Sequence, residues 1–392
     1  MQRKVCVITG SRAEYGLLYP ILKEIEGRKE ISLQLIATTM HLSDEFGLTY
    51  RDIERDGFII DEKIDCLSKR NNRTSMAVSS GTLTTAIANS FDRLEPNMVL
   101  ILGDRFEAHA ASTAALLMNI PIAHIHGGEI TEGAVDEQLR HSITKMSYLH
   151  FCSTDVYRQR IIQMGEDPLR VFNTGAPGID NIVNTDLLNR SDFSKQIDWH
   201  LPKEFALFTY HPTTLEDSDL RQDLDRIFDA LLESNIGVLF TYANADYGGK
   251  VINNKIEDFC KLDRNKYKVI RSLGKLRYLS AMEHANALIG NTSSGIIEAA
   301  SFCKPVVNIG NRQQGRIRDI NVIDCTIEEL PISITLALSN DFKIKCQNCI
   351  NIYGDGRASK SIVNKLISEP LLNVKKFIDI NPIHEIKNKR DI

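Results

Sequence analysis

The chain has 392 residues, of which 43% are hydrophobic and 25% charged, a balance that excludes a largely disordered or fibrous protein. The 47 basic residues against 51 acidic ones leave a net charge of −4, which argues against a binder of nucleic acid or anionic membrane. No apolar run approaches the roughly 18 residues that span a bilayer. The run Val5–Ile8 is too short for a secretory signal core, so a cytoplasmic protein of about two to three average domains is expected.

The elements follow one rhythm. Val5–Thr9 reads as a continuous apolar strand. Ala13–Glu26 has helical spacing at Leu17, Leu18, Ile21, Leu22 and Ile25, and Leu33–Thr38 is again a strand. A helical pattern over Ser75–Leu94 precedes the strand Met98–Leu102, a helix near Ala108–Met118 and the strand Ile122–Ile125. The rhythm restarts with strands at Glu204–Thr209, Gly237–Tyr242, Tyr267–Ile270, Ala287–Ile289 and Pro305–Ile309. Apolar strands alternating with helices mean right-handed βαβ units, parallel sheets and helices on both faces.

The polar stretch Asp180–Pro202 reads as an irregular connection. The expected organisation is an α/β chain of two doubly wound, Rossmann-like domains facing a central cleft. Their expected limits are 1–180 and 181–356, with a helix and tail at 357–392 packing back on the first domain. The eight cysteines, at 6, 66, 152, 260, 303, 325, 346 and 349, are thinly spread, as reduced and mostly buried thiols are. Cys346 and Cys349 form a CxxC, but no second pair stands nearby to complete a zinc site, so a structural reading is preferred and no metal is expected.

Ligands of open α/β sheets sit at the carboxyl ends of the strands. The first strand ends in Thr9-Gly10-Ser11-Arg12, entering a helix. This is an anion-suited turn in which Arg12 adds a bidentate contact, or equally a tight turn capped by Ser11 or Thr9 with Arg12 in water. Asp104 follows Met98–Leu102; Glu129 follows His124-Ile125-His126-Gly127-Gly128, and Asp136 comes soon after. Carboxylates crowded on one rim raise each other's pKa, which suits acid/base catalysis, whereas each alone is also a common helix or strand cap.

In the second half, His211 follows the strand ending at Thr209. It is placed to contact a phosphate or donate a proton, and is otherwise structural. The turn Gly290-Asn291-Thr292-Ser293-Ser294-Gly295 leads into a helix beginning near Ile296, with Glu298 in its first turn. Hydroxyls and backbone N–H groups there suit a diphosphate and a carboxylate suits ribose hydroxyls; an ordinary Ser cap looks similar.

Gly10-Ser-Arg-Ala-Glu-Tyr-Gly16, Leu102-Gly-Asp-Arg105, His124-Ile-His-Gly-Gly-Glu129, Arg140-His-Ser-Ile-Thr-Lys145, Gly290-Asn-Thr-Ser-Ser-Gly295 and Gly310-Asn-Arg-Gln-Gln-Gly-Arg316 stand in order along the chain. Together they resemble the hydrolysing UDP-N-acetylglucosamine 2-epimerases of sialic and legionaminic acid biosynthesis. The segment Thr38–Glu45 lacks the Gln-His pair of the non-hydrolysing relatives.

The resemblance implies the GT-B fold, a UDP-sugar ligand and a homo-dimer or homo-tetramer, with no cofactor. It assigns Asp104, Glu129 and Asp136 as acid/base carboxylates. His211 becomes a catalytic histidine facing the diphosphate. Arg12, Ser293, Ser294, Gly295 and Arg312 become UDP ligands, with Glu298 on the ribose and Asn244 near the nucleotide.

The implied reaction on an O-glycosyl bond converts UDP-N-acetylglucosamine and water to UDP and N-acetylmannosamine. It proceeds by anti elimination to 2-acetamidoglucal, then hydration with protonation of C2 on the opposite face. A 2,4-diacetamido-2,4,6-trideoxy UDP-sugar is the alternative substrate. A GT-B glycosyltransferase and a non-catalytic UDP-sugar sensor are the alternatives of other classes.

Overall fold

The computed structural model describes residues 2–66, 74–131, 135–212, 220–243, 248–371 and 374–380. The chain divides into two compact units, Met1–Asn181 with Tyr353–Ile392, and Ile182–Ile352. Among the described residues, no helix is long and apolar enough to cross a membrane.

The first unit holds strands β1 (Arg3–Thr9), β2 (Ile31–Thr38), β3 (Glu62–Ile64), β4 (Met98–Leu102), β5 (Ile122–Ile125), β6 (Leu149–Cys152) and β7 (Val171–Asn173). Their order is β3-β2-β1-β4-β5-β6-β7, all parallel. Chain order reverses between β1 and β4, so the ends of these two strands form the switch point where open α/β sheets receive ligands. The centre of the sheet is dry because helices cover both faces: every residue of β4 and β5 is buried. The helix Arg12–Glu26 presents Leu18, Ile21, Leu22 and Ile25, none of them exposed, to one face. Each such side chain contributes about 1.5–3 kcal/mol on burial.

The second unit repeats the scheme with β8 (Phe205–Thr209), β9 (Gly237–Thr241), β10 (Tyr267–Ile270), β11 (Ala287–Gly290), β12 (Val306–Ile309) and β13 (Val322–Cys325). The order is β10-β9-β8-β11-β12-β13, again all parallel, with the reversal between β8 and β11. The doubly wound α/β fold expected from the strand rhythm is therefore present in both halves. Four short strands escaped the sequence reading: β3, β6, β7 and β13. Each has only three or four residues, a length at which the periodic signal is weak.

The segment Asp180–Pro202 contains the Asn181/Ile182 boundary between the units but is partly helical, not irregular throughout. Asp180 lies in a helix, Pro177–Val183, and a second helix spans Arg190–Gln196 with Asn189 as its N-cap. Asp180 is fully buried and caps another helix, Ala358–Ser368, accepting from the N–H of Ala358 at 3.0 Å and of Ser359 at 2.7 Å. The polarity of this stretch thus serves helix ends, where orphan N–H groups need an acceptor. Asn181 repairs a second defect: Pro20 has no N–H to offer to Gly16, and the Asn181 amide donates to that carbonyl at 2.8 Å instead. Ile362, Val363 and Leu366 of the 358–368 helix join the same apolar cluster as the 12–26 helix.

Candidate active site

Thr9 ends β1, and the chain turns at Gly10 into the 12–26 helix, whose N-cap is Ser11; its hydroxyl accepts from the Glu14 N–H at 3.4 Å. Ser11 and Glu14 have the spacing of a capping box, but the Glu14 carboxyl reaches one residue further, to the Gly10 N–H at 2.7 Å. Burial pushes Glu14 up to about 8, with the Gly10 N–H opposing and Glu107 and Asp104 adding to the rise. Arg12 points outward, exposed, with Asp52 at 3.9 Å.

Asp104 follows β4 by way of Gly103 and meets the guanidinium of Arg140 in the helix Val135–Met146. Arg140 is only 3% exposed. It also donates to Thr131 Oγ1 at 2.8 Å and to Glu137 at 3.4 Å. Asp136 stands in the first turn of that helix, four residues before Arg140 and on the same face. Its carboxyl is raised by desolvation first and by the charge of Asp104 second, with Arg105 and Arg140 opposing.

Glu129 is 5% exposed and lies 2.6 Å from His126 Nδ1 and 3.3 Å from Ser153 Oγ. The expected crowding of three carboxylates takes a different form here. Asp104 acts on Asp136 beside Arg140, while Glu129 has an imidazole for a partner.

In the second unit, Gly290 ends β11 at φ +137, where a Cβ would lie 1.9 Å from Thr209 O. Only glycine lets the two strand ends approach so closely. Asn291 then bridges to β8, accepting from the His211 N–H at 2.7 Å and donating to His211 O at 2.8 Å. Its own carbonyl accepts from Arg312 at 3.1 Å and Gln313 at 2.9 Å. His211, Ser293, Ser294, Gly295 and Arg312 are thereby gathered around the ends of β8, β11 and β12. The helix there starts at Ser293, not near Ile296, and is capped by Thr292.

Glu298 consequently sits at the C-terminal end of that helix and not in its first turn. Desolvation pushes it up to about 7, opposed by a hydrogen bond from Ser294. Tyr278, also near Ser294, is raised to about 12 by desolvation and by the charge of Glu298. Asn244 lies outside the described residues.

Arg140, Glu107 and His126 were not singled out from the sequence as site residues. Arg140 carried a usable signal in its four-residue spacing from Asp136. Glu107, 1% exposed, is held by Arg105 at 3.1 Å and Thr39 at 2.9 Å, and nothing in the linear sequence marks it as buried. Among the described residues, no group of three His, Cys, Asp or Glu side chains could hold a metal ion. All eight cysteines are free thiols, five of them buried.

The sequence model of the UDP-N-acetylglucosamine 2-epimerase family matches residues 23–367. The chain belongs to that family. It is 41% identical over 387 residues to a Campylobacter jejuni protein named GDP/UDP-N,N'-diacetylbacillosamine 2-epimerase (hydrolyzing), covering 97% of this chain and 100% of that one. It is 36% identical to a Legionella pneumophila protein named UDP-N,N'-diacetylbacillosamine 2-epimerase (hydrolyzing), covering 95% and 97%. The crystal structure of a UDP-GlcNAc 2-epimerase from Neisseria meningitidis bound to UDP-GlcNAc matches with a TM-score of 0.78 and 18% identity, covering 93% of this chain and 100% of that one. That likeness shows the fold, the two-domain α/β architecture of the GT-B class.

Proposed function

We propose that this family member is a hydrolysing UDP-sugar 2-epimerase whose sugar is a 2,4-diacetamido-2,4,6-trideoxy hexose. It releases UDP and the free sugar inverted at C2. The observation that carries the choice of sugar is the full-length identity of 41% and 36% to two relatives named for UDP-N,N'-diacetylbacillosamine. UDP-N-acetylglucosamine, giving N-acetylmannosamine for sialic acid biosynthesis, is the second reading, and the description of the family model supports it.

The C2 proton of such a sugar is not adjacent to a carbonyl, so its removal is coupled to departure of UDP from C1. The C2–H pair becomes the C1=C2 double bond while the C1–O pair leaves with UDP. Water then adds at C1, and a proton adds to C2 from the opposite face. Two faces of C2 and one water require more than one proton-transferring group.

Asp104, Asp136 and Glu129 fill those roles in the first unit. Asp136, raised by desolvation and by Asp104, is suited to the acid. In the second unit Ser293, Ser294, Gly295, Arg312 and His211 stabilise the leaving diphosphate. Glu298 holds the ribose.

The two UDP-sugars, incubated separately with the protein in deuterated water, test the reading. UDP release with one deuterium at C2 of the sugar is expected, faster for the diacetamido substrate. UDP release without deuterium would overturn the elimination route. Preference for UDP-N-acetylglucosamine would overturn the assignment of the sugar.

A further inference from the structure

His126 follows the last residue of β5, and its N–H continues the ladder to Phe151 O of β6 at 3.0 Å. Its φ is +64, a left-handed backbone that non-glycine residues seldom adopt and that gathers at functional sites. The chain passes next through Gly128, at φ +77, where a Cβ would lie 2.5 Å from Tyr157 O. Gly128 O also accepts from Arg160, so the loop is pressed onto the helix Asp155–Gln163. This bend returns Glu129 to within 2.6 Å of His126 Nδ1. Toward a carboxylate, which accepts, Nδ1 is the donor, and in that tautomer the lone pair sits on Nε2.

That Nε2 is buried and has no hydrogen-bond partner among the described residues. Two other histidines of the same unit use both nitrogens. His124, two residues earlier on β5, bonds Gly103 O at 2.7 Å and Thr144 Oγ1 at 3.2 Å. His41 bonds Thr9 Oγ1 at 3.0 Å and Thr49 Oγ1 at 2.8 Å. His141 and His150 also leave one nitrogen without a partner. Neither stands at a strand end: His141 lies in the 135–146 helix and His150 pairs with His124 inside the sheet.

A strained backbone, an imidazole aimed by a buried carboxylate and an unused basic nitrogen form the arrangement that activates histidine as a base. We propose that His126 Nε2 removes the C2 proton of the UDP-sugar and that Glu129 is a positioning residue that fixes the ring and stabilises its imidazolium form. Resting on the epimerase reading above, this replaces Glu129 by His126 as the group that meets the substrate. As the N–H bond forms at Nε2, the C2–H pair moves into C1=C2 and the C1–O pair leaves with UDP; the proton passes to water at the end of the turnover.

Asparagine tolerates a left-handed backbone and its amide N–H can replace Nδ1–H toward Glu129, but it offers nothing in place of Nε2. His126→Asn is expected to lower kcat for UDP release by about 10²-fold or more, with KM within threefold and thermal midpoint unchanged. His126→Gly, also compatible with this φ, is expected to recover activity in proportion to added imidazole, which a purely structural histidine would not allow. Glu129→Gln is expected to lose about tenfold and not to respond to imidazole. A His126→Asn variant with more than a third of wild-type turnover, or a folded His126→Gly variant that imidazole leaves inactive, would overturn the dyad while the epimerase reading stands. Wild-type protein that releases no UDP from either sugar would overturn both.

Discussion

Glu166 offers a measurable test of how the C-terminal tail is held. Its carboxylate is 2% exposed and accepts from Lys145 Nζ at 2.6 Å and His150 Nε2 at 3.0 Å, with Lys375 Nζ at 2.7 Å. Lys375 also donates to Lys145 O at 2.6 Å and Ser147 O at 2.8 Å, carbonyls that close the helix carrying Asp136 and Arg140. Phe377 lies against Gly165, and Ile378 N–H donates to Gly165 O at 3.0 Å.

Burial alone would raise the Glu166 carboxyl, but hydrogen bonds from His150, Lys145 and Lys375 bring it down to about 2 from its ordinary 4.5. At about 1.4 kcal/mol per pH unit, that depression is worth roughly 3 kcal/mol of stability. Because the folded-state value lies below the unfolded one, the contribution is complete above about 4.5 and is lost as pH falls through about 2.

Glu166→Gln, which keeps the volume and removes the charge, is expected to lose roughly 3 kcal/mol at pH 7 in urea unfolding followed by far-UV circular dichroism. The gap between wild type and variant narrows as the pH is lowered below 4.5. Equal stability at pH 7, or a gap that persists into acid, would refute the assignment of the ion cluster as the anchor of the tail.

Two further substitutions probe the helix caps and the acid/base group. Asp180→Ala removes the acceptor for two N–H groups of the 358–368 helix and is expected to cost about 1–2 kcal/mol, read as a lowered thermal midpoint. Asp104→Asn takes the charge from beside Arg140 and is expected to slow UDP release by about 10²-fold or more while the UDP dissociation constant, from calorimetry, stays within threefold; undiminished turnover would remove Asp104 from the catalytic groups.

The sequence by itself determined the layered architecture and the rim positions of the candidate residues. Apolar runs such as Met98–Leu102, short and set between helical patterns, read as strands buried on both faces, and a strand followed by a helix leaves its carboxyl end at the sheet edge, where Asp104, Glu129 and His211 fall. The short strands β3, β6, β7 and β13 were not legible, because three or four residues pair through contacts made elsewhere in the chain.

Only the tertiary structure decided the electrostatic identity of each group. Which charge faces Asp104 depends on a helix packed from 36 residues away, and the Lys375 that closes that helix is some 230 residues from it. The partner of Glu129 is three residues distant, but it meets His126 only because Gly128 lets the loop press onto the 155–163 helix. Local propensity fixes which edge a side chain occupies. Desolvation and pairing, which set whether a group is acid, base or anchor, follow from distances that linear spacing does not encode.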